Sequence, residues 1–354
     1  MKAGIYDPYL NILGGGERYV MTLAKYLSQK GYEVDIFWND KAIKSKIEKQ
    51  LGISLNRVNF VEDIFYPRRN LLERWKITRK YDVIFYLSDG SIPFLFGKRN
   101  YLLFLVPFIN VQGHGLLNRV KLIKINRVIS ISKFTKKLID KEYGVESEII
   151  YPPVSIEDFK SLKKKNIILS VGRFTKALHN KRQDILIETF QRVVKGDLKN
   201  WELILIGGVE EKNDYVSKLR EKITGYPIKI LTNISYERLR KYYGESKIYW
   251  HATGFGEDEI KHPEKMEHFG ITVVEAMAAG CVPIVISQGG IPEIVTDKIN
   301  GFLWKTKDQL KELSLQLIKS ENLRQKLAGQ AIKDSQGFSE KIFCQKISKL
   351  VAVQ

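Results

Sequence analysis

Glu267-His268-Phe269-Gly270-Ile271-Thr272-Val273-Val274-Glu275-Ala276-Met277-Ala278-Ala279-Gly280-Cys281-Val282-Pro283-Ile284-Val285-Ile286 is the stretch that decides the fold. Thr272–Ala279 reads as a helix stopped by Gly280, because glycine adopts the left-handed conformation that closes a helix at little cost. Val282–Ile286 then reads as a strand, and so does Ile248–Trp250 upstream. A strand, a glycine-containing turn, a helix and a second strand make a crossover unit, and crossover units build parallel sheets.

The same alternation repeats outward in both directions. Ile167–Val171 reads as a strand, Asp184–Val194 as a helix, Glu202–Ile206 as a strand ending in Gly207-Gly208, and Ile228–Leu231 as another strand. Toward the N-terminus, Ala3–Tyr6, Glu33–Trp38, Val83–Leu87, Leu102–Val106, Val128–Ile131 and Ser147–Ile150 read as strands, with Glu17–Gln29 as an amphipathic helix. Pro152-Pro153 and the polar Ser161–Lys165 divide the two series. A chain of 354 residues exceeds one ordinary core and suits two α/β domains, each a doubly wound, Rossmann-like parallel sheet. We expect domains at 1–152 and 153–337, with a helix over Glu340–Val353 (about 338–354) crossing back onto the first. Ligands of such folds bind beyond the carboxyl ends of the strands, so two in tandem are expected to face a cleft.

Composition narrows the function classes. Apolar residues make up 44% and charged residues 28%, which is globular composition. Cys281 and Cys344 are the two cysteines. They cannot form a disulfide scaffold or a Cys/His metal motif, so a reducing, cytoplasmic setting is expected. No apolar signal region follows Met1, and the longest apolar run, Tyr101–Ile109, is about half a bilayer span and contains Pro107. The net charge is +18, with 25 Lys and Arg against 15 Asp and Glu in residues 1–152. RNP-like, zinc-knuckle and RGG signatures are missing, so no specific nucleic acid is expected. The excess fits phosphate-bearing ligands or an anionic membrane surface. The nucleic-acid-binding alternative predicts affinity that collapses steeply with salt.

Four constellations carry chemistry. Gly14-Gly15-Gly16-Glu17-Arg18 lies between the first strand and the first helix, where Gly15 and Gly16 either bring backbone N–H groups to a phosphate or form an ordinary turn. Its spacing is neither Gly-x-Gly-x-x-Gly nor a P-loop, which argues against hydride transfer and ATP hydrolysis. Gly172-Arg173 ends the first strand of the second domain, and Lys181 follows in His179-Asn180-Lys181-Arg182; the two cations either neutralise a leaving diphosphate or stand solvated. Glu267 and Glu275 bracket the turn and helix start. Glu275 lies among Val273, Val274, Ala276 and Met277, so its carboxylate needs a partner, and a ribose diol would serve. His251 follows a strand, where residues at the ligand end are expected. Glu257-Asp258-Glu259 has no metal-ligand spacing and reads as a solvated insertion, and no metal site is expected. Gly113–Arg127 is basic and amphipathic, suited to anionic lipid or to a surface helix with its apolar side on the core.

Glu267-x7-Glu275 with His268-Phe269-Gly270-Ile271 between, Gly14-Gly15-Gly16-Glu17-Arg18, Tyr151-Pro152-Pro153-Val154, Gly172-Arg173 and Gly289-Gly290-Ile291-Pro292-Glu293 together resemble glycosyltransferase family 4. These are retaining enzymes of the GT-B fold. The wording is also similar to the mannosyltransferases that extend lipid-linked oligosaccharides on the cytosolic membrane face. The resemblance implies transfer of a hexose, mannose or glucose, from a GDP- or UDP-sugar to a glycan or lipid-linked acceptor. No cofactor or metal is implied. Arg173 and Lys181 would hold the departing diphosphate, Glu275 the ribose, and Glu267 the transferred sugar. The backbone around Phe269, Gly270 and Ile271 would contact sugar and phosphate, with Gly172 and the strand-end His251 also on the donor side, and Gly15 and Gly16 would close on the diphosphate; His268 reads either as a donor contact or as an N-cap or packing residue. One departure stands out: many relatives place a histidine just after the strand corresponding to Leu102–Val106, whereas the nearest here is His114. It reads either as a displaced catalytic histidine or as a plain loop residue. An epimerase of the same architecture is the other enzymatic reading.

Overall fold

The computed structural model describes all residues except 67–69, 176–179, 195–199, 210–213 and 353–354. His179 and Val353, both quoted above, therefore lie outside the described residues. The chain forms two compact units, Met1–Pro153 with Glu340–Gln354, and Val154–Ser339.

The first unit carries seven parallel strands: β1 (Lys2–Tyr6), β2 (Glu33–Phe37), β3 (Val58–Val61), β4 (Val83–Leu87), β5 (Arg99–Phe104), β6 (Arg127–Ser130) and β7 (Glu148–Ile149). Their order is β3-β2-β1-β4-β5-β6-β7. The central β4, Val-Ile-Phe-Tyr-Leu, is buried along its whole length, as a parallel strand covered on both faces must be. Among the first-unit elements that the sequence reading leaves out, two have a plain reason. β3 has Asn59 in the middle of its four residues, and the Ile43–Leu51 helix carries few apolar positions. β5 starts three residues before the expected strand and stops two short of Val106, ahead of Pro107, which lacks the N–H a ladder needs.

The Glu340–Ala352 helix belongs to this first unit. Tyr101 donates its hydroxyl to the Leu350 carbonyl at 3.0 Å, and the Phe343 ring meets Tyr19 edge-on at 4.9 Å between centroids. Lys25 pairs with Glu340 at 2.9 Å.

The second unit has six parallel strands: β8 (Lys165–Val171), β9 (Glu202–Gly207), β10 (Ile228–Thr232), β11 (Ser246–His251), β12 (Val282–Ile286) and β13 (Phe302–Trp304). Their order is β10-β9-β8-β11-β12-β13. The three-residue β13 has too few positions to show a period. In each sheet the connections run outward in opposite directions from one central pair, β1/β4 in the first unit and β8/β11 in the second. At such a switch point the loops after adjacent strands part and leave a crevice at their carboxyl ends.

Candidate active site

The switch point of the second unit gathers the residues singled out by their chemistry. Lys181 lies in the connection after β8, His251 is the last residue of β11, and Glu267 precedes the Ile271–Ala278 helix. Lys181 donates from Nζ to Glu267 Oε2 at 2.6 Å. His251 Nε2 stands 3.0 Å from the same oxygen, and Thr253 donates its hydroxyl to it at 3.3 Å. Thr253 Oγ1 also lies 3.0 Å from His251 Nε2. This network assigns the Nε2–H tautomer to His251, the proton being shared by the carboxylate and the threonine oxygen. Its Nδ1 is buried with no hydrogen-bond partner among the described residues.

The electrostatics follow from burial and pairing. Burial by itself would raise the Glu267 pKa, but the Lys181 charge and the His251 hydrogen bond hold it well below the usual carboxylate range. Burial lowers His251, outweighing the Glu267 contact. The cluster is thus an ionised carboxylate paired with Lys181 and backed by a buried neutral imidazole.

Glycine makes the backbone geometry possible. Gly270 caps the Ile271–Ala278 helix at φ 114°, ψ 58°, and a Cβ there would lie 2.7 Å from Ile291 Cδ1. Gly289 and Gly290 run against the backbone of Glu267 and His268: a Cβ on either would come within 2.3 Å of a carbonyl oxygen. The Gly290 N–H bonds the Glu267 carbonyl at 2.8 Å. The Glu267–Gly270 turn is therefore clamped from behind, its cap formed by a glycine.

The remaining second-unit candidates belong to the same loops and helix. Gly172 packs under the Lys181 side chain, whose Cγ would be 2.7 Å from an added Cβ. Gln183 donates from Nε2 to the carbonyls of Gly172 and Arg173, each at 3.2 Å, which fixes the loop that carries the exposed Arg173 side chain. His268 and Phe269 are buried and Ile271 half-buried; Phe269 meets the Phe338 ring at 5.5 Å. Glu275 has a protein partner where a ribose was expected: Tyr243, fully buried, donates its hydroxyl to Glu275 Oε2 at 2.8 Å. The need for a partner in that apolar setting is thus met within the chain. Every residue of the acidic trio has a structural contact: Glu257 pairs with Lys265 at 2.9 Å, Asp258 Oδ1 accepts from the Ile260 N–H at 2.9 Å, and Glu259 accepts from the Gly289 N–H at 3.2 Å.

Three contributors were not legible in the sequence. Thr253, two residues beyond His251, was visible only as a hydroxyl next to a strand end. Gln183 and Tyr243 are 84 residues or fewer from Glu267 but had no motif to mark them.

The first unit has its own arrangement at its switch point. The Gly14 N–H is bonded by Glu17 Oε2 at 2.5 Å, so a buried glutamate reaches back to cap the Gly15–Gln29 helix. Gly15 is exposed and Gly16 half-buried. Asp7, just past β1, is fully buried. Its Oδ1 accepts from the Tyr9 N–H at 2.9 Å, and Oδ2 has no partner among the described residues. Burial, with the Glu17 charge adding to it, pushes the Asp7 pKa up to about 8. His114 is in the same unit, exposed, with Nε2 2.7 Å from the Lys141 carbonyl. The backbone around it is tied down by Glu142, which accepts from Asn110, Val111 and Gly113.

Two doubly wound parallel-sheet units, the second with an ion-paired, glycine-clamped turn at its switch point, define an α/β architecture, and family comparison supplies the class. Residues 154–334 match the family described as Glycosyl transferases group 1, and residues 13–158 match Glycosyltransferase Family 4. The chain belongs to the glycosyl transferases of group 1. It is 24% identical over 438 residues to the GDP-Man:Man(3)GlcNAc(2)-PP-Dol alpha-1,2-mannosyltransferase of Dictyostelium discoideum, covering 99% of this chain and 84% of that one. Among solved structures it is similar to a glycosyltransferase from Rickettsia africae, with a TM-score of 0.78 at 18% identity, covering 99% and 97% of the two chains. It is also similar to Anabaena Alr3699/HepE in complex with UDP, with a TM-score of 0.75 at 19% identity over 100% of both chains. The fold is GT-B, and the chain is a glycosyltransferase. No helix among the described residues is long and apolar enough to cross a membrane.

Proposed function

We propose that the chain moves a hexose from a nucleotide-diphosphate sugar to a hydroxyl of a glycan or lipid-linked acceptor, with retention of anomeric configuration. Mannose from GDP-mannose is the first choice of donor and glucose from a UDP-sugar the second. The observation that carries the reading is the Lys181–Glu267–His251 cluster at the carboxyl ends of β8 and β11. The mannosyltransferase named above supports the first donor, and the UDP complex of the Anabaena protein supports the second.

In this mechanism Arg173 and Lys181 take up the negative charge that grows on the diphosphate as the glycosidic bond breaks, the work that a divalent ion does in other transferases. A diphosphate oxygen accepts the proton of the incoming hydroxyl on the same face of the sugar. Glu267 stays ionised, orients Lys181 and accepts a hydrogen bond from a sugar hydroxyl. Glu275, its carboxylate oriented by the Tyr243 hydroxyl, accepts a hydrogen bond from the ribose. His251 is a positioning residue, since it acts through Glu267.

The first test is thermal stabilisation by GDP, UDP and ADP and their sugars, measured with and without a chelator. Saturation at a hundred times Kd adds about 2.7 kcal/mol of stability. A selective shift with GDP and GDP-mannose is the expected result. A shift confined to UDP compounds would replace the donor, and no shift with any of them would remove the donor site from the second unit. Loss of the shift on chelation would overturn metal independence.

A further inference from the structure

We infer that the first unit docks on an anionic lipid bilayer through the Leu116–Leu122 helix and the residues that follow it. None of this helix is buried. Leu116 is 80% exposed, Leu117 61%, Val120 47% and Ile123 79%. Scattered exposed leucines are ordinary on protein surfaces, but four large aliphatic side chains within eight residues form a continuous patch of the kind that marks an interaction surface.

Charge selects the occupant. Residues 90–139 contain nine Lys and Arg and no Asp or Glu. Arg119, Lys124 and Arg127 are exposed beside the aliphatic tips. Long basic side chains can keep their heads at a phosphate layer while the aliphatic groups enter the acyl boundary, which is how interfacial helices bind anionic membranes. A protein partner with a matching apolar surface would not require fifty residues free of acid.

Topology extends the surface. The crossovers from β3 to β4 and from β5 to β6 run the same way across the sheet, so right-handed connections place the Leu71–Thr78 and Leu116–Leu122 helices on one face. Ile77 and Leu122 pack on the same buried cluster of Tyr86, Leu102 and Phe104. Leu72 is 72% exposed, and Trp75 carries the Arg79 guanidinium 4.4 Å above its ring. An indole paired with a cation is suited to the headgroup region.

This surface stands apart from the transfer reading, because it is measured without donor or acceptor. The experiment is co-sedimentation of the full chain with vesicles of phosphatidylcholine alone, or of phosphatidylcholine mixed with phosphatidylglycerol. Three proteins are compared: the wild type, an apolar variant (Leu116→Gln, Leu117→Gln, Ile123→Gln) and a charge variant (Arg119→Gln, Lys124→Gln). The substituted side chains are exposed, so unchanged melting and diphosphate response will certify both variants as folded. The wild type should partition onto the anionic vesicles only, and less at high salt. Each variant should lose about tenfold or more in partition coefficient, given the strength of basic residues at such surfaces. Absence of binding by the wild type, or binding by both variants equal to wild type, overturns the inference. So does a wild-type dimer in sedimentation velocity that the apolar variant dissolves, which would assign the patch to a second copy of the chain.

Discussion

Lys181 and Arg173 are proposed to act on the same diphosphate, but they sit in different surroundings, and that difference is measurable. Lys181 is ion-paired with Glu267, whereas Arg173 is exposed. Either Arg173→Ala or Lys181→Met should cut turnover by about 10²-fold or more, the scale of lost transition-state charge stabilisation. Only Lys181→Met should also destabilise the fold, by roughly 2 kcal/mol, because it strands a largely buried carboxylate. Turnover with a saturating donor, read beside urea denaturation, separates the two effects; equal stability loss in both variants would contradict the pairing. The glutamates and the two cations were legible because each stood in a run that made it conspicuous. Tyr243 and Thr253 were not, because their roles exist only once β11 and the helix before it bring them beside Glu275 and Glu267. Asp7 offers a second test at this scale. Its folded-state pKa of about 8 exceeds its unfolded value near 3.8, so the folded state holds an extra proton across that window. Stability from this group is therefore lost as pH rises from about 4 to 8. Asp7→Asn keeps the acceptor for the Tyr9 N–H and has nothing to ionise, so its melting temperature should fall less than wild type's over that range and exceed it at pH 8. Parallel pH profiles for the two proteins would mean that Asp7 titrates normally.

At the scale of elements, the active turn depends on glycines that the sequence displayed without explaining. Gly270 was readable as part of a strand-to-helix junction, and Gly289-Gly290 as part of a family pattern. That the second pair packs against the backbone of the first segment is a relation between loops twenty residues apart, which no local period encodes. The same limit hid β3 and β13, too short to alternate, while the buried runs of β4, β8 and β12 were unmistakable. Gly270→Ala should cost about 1–3 kcal/mol, since φ 114° lies outside the region open to a residue with a Cβ, and the clash with Ile291 adds to it. Gly290→Ala should push on the His268 carbonyl, 2.3 Å from the added Cβ, and so loosen the turn that holds the Glu267 carboxylate on Lys181. Both variants are expected to weaken diphosphate-induced stabilisation more than Gly329→Ala, an open helical position where an added Cβ meets nothing. Equal ligand response in all three would detach the glycine clamp from the site.

At the scale of the whole chain, residues that follow the second unit in sequence complete the first. Glu340–Ala352 covers Tyr19 and Tyr101, whose partners Phe343 and Leu350 are more than 240 residues away. This helix and its return to the first domain were expected from the sequence, but not the side chains it meets there, Tyr19 and Tyr101. The consequence is a first unit that cannot finish until the second has been made, a long-range closure that slows folding. Phe343→Ala removes a buried ring that the first unit needs and touches nothing at the Lys181–Glu267 cluster. It should cost that unit about 3–5 kcal/mol, the usual range for a buried phenylalanine. Calorimetry in the presence and absence of GDP checks this: the variant should show an earlier transition that GDP does not move, followed by one that GDP raises. A single transition shifted downward as a whole, with GDP raising all of it, would instead mean that the two units melt as one cooperative body, and that the C-terminal helix stabilises the entire enzyme rather than the first unit alone.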